Sequence, residues 1–129
     1  MTDPKELSGI ISGDVETSDR ALTEASHDAS LFEVRPQAVV YPKNVEDLRK
    51  LVSYAASHEG THLTGRSAGT DMSGGPLTES IVVSFTKYFN HIKGVVEAPQ
   101  GRLPGRYSDV EISGYAITEP GVYYRDMTA

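Results

Sequence analysis

Ala38-Val39-Val40-Tyr41-Pro42-Lys43-Asn44-Val45-Glu46-Asp47-Leu48 decides the fold, because a strand ends and a helix begins inside it. Ala38 to Tyr41 is a compact β-prone run, and Pro42 stops it because proline cannot donate to a ladder. Asn44 then stands where a helix N-cap belongs, with Glu46 and Asp47 in the first turn beside the positive end of the helix dipole. Val45, Leu48, Leu51, Val52 and Ala55 follow at intervals of three and four, while Glu46, Arg49, Lys50 and Ser53 occupy the other side. Gly60 supplies the C-terminal stop. The pattern predicts a strand feeding an amphipathic helix.

Downstream, Thr61-His62-Leu63-Thr64 is a second strand candidate. Ser80-Ile81-Val82-Val83-Ser84-Phe85 is a third, with the nearly continuous apolar centre of a buried strand. Strand, helix, strand in this order implies a right-handed crossover and a parallel pair. The expected fold class is therefore α+β, a small βαβ-containing sheet with helices on one side. Beyond Phe85, Tyr88 to Ile92 and Val95-Val96 predict a turn and a strand, Glu97 to Gly114 reads as an exposed excursion, and Tyr115 to Glu119 is a final strand closed by Pro120-Gly121. Val122 to Met127 begins a further element, so the ending at Ala129 reads as abrupt. Upstream, Thr2 to Ser26 is mixed and any helix there is short, which makes residues 1–27 a lead-in. Asp28 to Phe32 and Val34 lead into the first strand, since Pro36 disfavours a helical conformation at Arg35.

A length of 129 residues allows at most one domain, and 38% apolar with 23% charged residues is a globular composition. The formal charge of -6 and the lack of any basic cluster argue against a nucleic acid partner. No run reaches the ~20 apolar residues of a membrane helix, and Met1 to Glu6 lacks the parts of a signal peptide, so a cytoplasmic protein is expected. Cysteine is absent, which excludes disulfides and thiolate chemistry. His27, His58, His62 and His91 match no metal-ligand spacing and read as surface or boundary residues, so no metal site is expected.

Between the second and third strands lies Gly65-Arg66-Ser67-Ala68-Gly69-Thr70-Asp71-Met72-Ser73-Gly74-Gly75, with four glycines and three hydroxyl side chains. Such a loop brings backbone N–H groups close to an anion, because no large side chain intervenes and glycine tolerates the positive φ of concave nests. Ser67, Thr70 and Ser73 can add donors, Arg66 is the only cation, and Asp71 is expected to point away from a ligand. A plain solvated loop has the same composition. The segment has neither the Gly-Lys-Ser/Thr of a P-loop nor the Rossmann glycine spacing. Gly65 to Gly69 does satisfy G-x-S-x-G, the nucleophile elbow of serine hydrolases, with Glu79 and His91 as the remaining triad candidates. An elbow must run straight into a helix, and Ser73-Gly74-Gly75-Pro76 would break one. A third possibility is a non-catalytic α+β module binding a protein partner.

The order of motifs goes further than composition. Arg35-Pro36-Gln37-Ala38-Val39-Val40-Tyr41-Pro42, the helix after it, the segment Arg66 to Gly75 and Glu119-Pro120-Gly121-Val122 resemble the start of the FAD-linked oxidase domain of the vanillyl-alcohol oxidase (PCMH) type. The similarity runs from Asp28 to Met127 and is closest to the branch with D-lactate and glycolate dehydrogenases, where a segment like Asp28-Ala29-Ser30 precedes the first strand. The family's cradle reads Arg-Gly-Gly-Gly-Thr-Ser, then a small apolar step and Gly. Arg66, Gly69, Thr70 and Gly74 match it, Ser67 and Ala68 replace glycines, and Asp71 replaces a hydroxyl residue. The resemblance implies that residues 28–129 form the first part of an FAD-binding domain, with Arg66, Ser67, Ala68, Gly69, Thr70, Asp71, Met72, Ser73, Gly74 and Gly75 around the pyrophosphate. It also implies a flavin-dependent oxidoreductase acting on a 2-hydroxy acid, whose residues for substrate and ring lie in parts that this chain lacks. Members that attach flavin covalently through this loop carry His where Thr70 stands, so non-covalent FAD is implied.

Overall fold

The computed structural model describes residues 3–102 and 111–128. Its elements are α1 (Pro4–Ile10), β1 (Asp14–Glu16), α2 (Asp19–Ala25), β2 (Ala38–Tyr41), α3 (Val45–Ser57), β3 (Leu63–Arg66), β4 (Ile81–Ser84), β5 (Ile92–Arg102), β6 (Glu111–Thr118) and α4 (Tyr124–Met127). The main sheet has the order β1-β2-β4-β3, with β1 antiparallel to β2 and the other pairs parallel. The strands before and after α3 are thus parallel, but β4 lies between them. All four β4 residues are buried, which suits the central position, whereas β3 is only partly buried and takes the edge. The β3 strand also starts two residues later than Thr61, so Gly65 and Arg66 belong to its ladder, opposite Val83 and Ser84.

Burial explains the layers. Ala38, Val40, Ile81 and Val83 pack with Leu7 and Ile11 near α1 and with Leu51 and Tyr54 of α3. The alternate residues Val39 and Val82 face the other way and pack against Leu22 and Ala25 of α2. The small mixed sheet and its α+β character are as expected, but helices cover both faces, because β2 and β4 are apolar on both. On α3, Leu51 and Tyr54 are buried while Val45 and Val52 are exposed, so tyrosine rather than valine completes the inner stripe.

The stretch read as a lead-in is part of this body. It contributes β1 to the sheet and Leu7 to the core, and a buried carboxylate locks it to α3. Asp47 Oδ1 accepts from Ser12 N at 2.8 Å, and Oδ2 accepts from Gly13 N at 3.0 Å and Lys43 N at 2.9 Å. Asn44 caps the same helix, accepting from Asp47 N at 3.0 Å. A Cβ on Gly13 would collide with the Tyr41 carbonyl, so only glycine lets the α1–β1 turn approach this closely.

β5 and β6 form a separate antiparallel ribbon. Much of the expected exposed excursion is therefore paired: Glu97 faces Gly114, Gly101 faces Ile112 and Arg102 faces Glu111, with a register shift between Glu97 and Gly101. Pro99, which lacks an N–H, falls inside that shift. Residues 103–110 of the same stretch lie outside the described residues. No helix of the described residues is long and apolar enough to cross a membrane.

Candidate functional site

β3 delivers its chain at the carboxyl end of the parallel strands, the side on which open α/β sheets place ligands. From there residues 67–80 cross to β4 without a helix. Gly69 and Gly74 adopt φ of 70° and 83°, the left-handed region that glycine enters at no steric cost. At Gly69 a Cβ would also collide with the Arg66 guanidinium. Among the described residues, the amides of Ala68, Gly69 and Thr70 donate to no protein acceptor. Consecutive free N–H groups in a bent loop make a neutral anion-binding concavity.

The charged residues of the loop are turned to its own support. Arg66 Nη2 donates to the His27 carbonyl at 2.7 Å and Nη1 to the Ala25 carbonyl at 3.4 Å, so the guanidinium caps the C-terminal end of α2. Asp71 Oδ1 accepts from Ser73 N at 2.7 Å, Ser73 Oγ at 2.9 Å and Gly75 N at 3.2 Å. The Ser73 amide and hydroxyl, followed by the Gly75 amide, hold this carboxyl below the usual carboxylate range. The Asp71 carbonyl in turn accepts from Ala29 N at 3.0 Å.

Hydroxyls divide in the same way. Ser67 Oγ donates to the Pro120 carbonyl at 2.6 Å and Ser73 Oγ is bound to Asp71, so only Thr70 among the three keeps a hydroxyl without a protein partner. The Ser67 bond fastens the loop to the Pro120-Gly121 turn, which is itself packed so tightly on Phe85 and Phe89 that a Cβ on Gly121 would strike the Phe85 carbonyl. Glu119 anchors this turn from the other side: hydrogen bonding by His91, with Lys93 nearby, lowers its pKa to about 2.

These ties bring the loop opposite Val122, Tyr123, Tyr124 and Arg125 across a cleft of about 910 Å³, within the range of small-molecule sites. Ser67, Ala68, Gly69, Thr70, Asp71 and Gly75 line it together with Gly65 and Pro76, whereas Arg66, Met72, Ser73 and Gly74 of the expected set do not. Leu31, Phe32 and Met72 are exposed and do not line the cleft, and Phe32 lies against Gly74. The sequence alone missed the carbonyls of Ala25 and His27, which carry no side-chain signal, and it missed Arg125 as a cation on the far wall. The hydrolase arrangement does not assemble: the Ser67 hydroxyl faces a carbonyl, the His91 ring pairs with Glu119 at 2.7 Å, and no helix follows Ser67. Among the described residues no three metal-capable side chains gather.

A family model described as FAD binding domain matches residues 36–129. The chain belongs to the FAD binding domain family. The chain is 32% identical over 82 residues to D-2-hydroxyglutarate dehydrogenase of Escherichia coli (strain K12), covering 62% of this chain and 8% of that protein. A protein of the same name from Pseudomonas putida is 31% identical over 86 residues, covering 65% and 8%. The chain thus spans under a tenth of these relatives. Among solved structures, Physcomitrella patens BBE-like 1 superimposes with a TM-score of 0.55 at 21% identity, covering 71% of this chain and 21% of that one, which shows the shared fold. Glycine at positions 69, 74 and 75, a bent backbone with free amides and a cleft of nucleotide size fit the cofactor that gives the family its name.

Proposed function

We propose that the loop Gly65–Gly75 cradles the FAD pyrophosphate, with the amides of Ala68, Gly69 and Thr70 and the Thr70 hydroxyl as donors and with Arg125 on the opposite wall. The three amides without a protein acceptor carry this reading, because Ala68, Gly69 and Thr70 all line the cleft and Gly69 bends the backbone at positive φ between them. Thr70 is a neutral hydroxyl residue where covalent members carry His, so FAD is held without a covalent bond. Titration of FAD with the chain, followed by quenching of flavin fluorescence, tests the site. After acid precipitation the flavin is expected in the supernatant; flavin in the pellet contradicts the non-covalent assignment.

The polypeptide carrying this domain is proposed to be an FAD-dependent oxidoreductase acting on a 2-hydroxy acid, supported by the similarity to D-2-hydroxyglutarate dehydrogenases. FAD supplies the electron-accepting ring, and this domain supplies binding and orientation. Anaerobic mixing of the FAD-loaded polypeptide with a panel of D-2-hydroxy acids is expected to bleach the flavin. Absence of bleaching across the panel removes the substrate class and leaves FAD binding standing.

A further inference from the structure

Asp71 lies between the free amides of Ala68, Gly69 and Thr70 and a turn that its own carboxylate closes. On the downstream side Oδ1 gathers Ser73 N, Ser73 Oγ and Gly75 N, and Gly75 sits so close that a Cβ there would be 2.9 Å from Oδ2. On the upstream side its carbonyl accepts from Ala29 N, fastening the loop to the segment after α2. A carboxylate beside a phosphate site is electrostatically unfavourable unless its charge is taken up by local donors. Here three donors converge on one oxygen.

We propose that Asp71 is the positioning residue of the cradle: its carboxylate closes the 71–75 turn and so presents the amides of Ala68, Gly69 and Thr70 toward the cleft, without itself contacting the phosphate. The inference rests on the FAD reading above. It sets a requirement for an acceptor oxygen at this position, not for a charge. Asparagine keeps an oxygen at Oδ1 that can accept the same three bonds, whereas alanine leaves the Ser73 and Gly75 amides without their acceptor. The alternative role, a carboxylate that competes with phosphate for those amides, predicts the opposite response.

The test compares the chain with its Asp71→Asn and Asp71→Ala variants by amide hydrogen exchange at Ser73 and Gly75, by FAD titration and by thermal unfolding. Asp71→Ala is expected to lose protection at both amides and to bind FAD about tenfold more weakly, the scale of one charge-assisted hydrogen bond. Asp71→Asn is expected to restore both to near the parent level, with all three melting temperatures alike because the turn is exposed. Parent-like or tighter FAD binding by Asp71→Ala overturns the proposal, as does failure of Asp71→Asn to rescue. If the parent chain binds no FAD, the FAD reading fails by itself; protection kept in Asp71→Ala then overturns the positioning role, and protection lost supports it.

Discussion

Asp47 shows how one side chain joins distant parts of this chain. Burial opposes its ionisation, but hydrogen bonds from Ser12, Lys43 and Gly13 together outweigh that cost and hold its pKa below the ordinary value. A carboxyl whose folded pKa is depressed contributes stability that is fully present above its unfolded pKa and is lost as pH falls through the folded value. Asp47→Asn keeps one acceptor oxygen and gives up the ionised one, and is expected to cost about 2 kcal/mol in urea unfolding at neutral pH. The gap should begin to narrow below about pH 4, where Asp47 of the unfolded chain takes up a proton, and continue to narrow as pH falls through the lower folded value; an unchanged gap across that range would assign the loss to packing. At Gly69 the limit is conformational as well as steric. Gly69→Ala places a Cβ at positive φ against Arg66, costs about 1–2 kcal/mol, and is expected to abolish measurable FAD binding while the far-ultraviolet circular dichroism spectrum is retained. Position 69 was legible in the sequence as a family glycine. The reason it must be glycine was not, because it lies in where Arg66 turns.

Elements divide into those with a local cause and those with a remote one. α3 carries its cap, first-turn acids and apolar stripe within its own residues, and β4 carries its unbroken apolar run, so both were readable. The second half of β6 was readable from Tyr115 onward, but its first half and the distal half of β5 are strands because they pair with each other, and Pro99, Gly101 and Gly114 mask that in the local pattern. α2 is a similar case: its seven residues look marginal, and beyond the local cap of Ser26 on the Thr23 carbonyl its end is held by Arg66, 39 residues beyond His27 in the chain. The ten loop residues were read from the sequence as one set, yet six line the cleft and four do not, because which way each turns depends on partners brought together only by folding. Arg66→Lys separates these roles. An ammonium cannot span the Ala25 and His27 carbonyls as a planar guanidinium does. The variant is expected to lose about 1 kcal/mol of stability in denaturant titration and to weaken FAD through the loop, despite keeping its charge. Parent-like stability would mean that the charge alone, not the two-carbonyl geometry, holds α2.

At the scale of the molecule, charge and site pull in opposite directions. The chain carries a formal charge of -6, so an anionic dinucleotide approaches against a repulsive field; in the proposed cradle its phosphates would meet mainly backbone dipoles, because Arg66 is turned to the Ala25 and His27 carbonyls. The long-range repulsion is screened by salt over about 10 Å at 0.1 M, whereas short contacts to oriented N–H groups are much less affected. Phosphate sites built from cationic side chains behave in the reverse sense and weaken as salt rises. FAD affinity is therefore expected to stay constant or to improve about twofold between low ionic strength and 0.15 M, measured by fluorescence quenching at fixed pH. Arg125→Ala provides the internal control. If that residue carries a large part of the phosphate interaction, the parent chain will lose affinity with salt and the variant will not. A fall of about tenfold in the parent would replace the neutral amide cradle by a cationic one centred on Arg125. A flat or rising response in both proteins leaves the phosphate interaction with the amides of Ala68, Gly69 and Thr70.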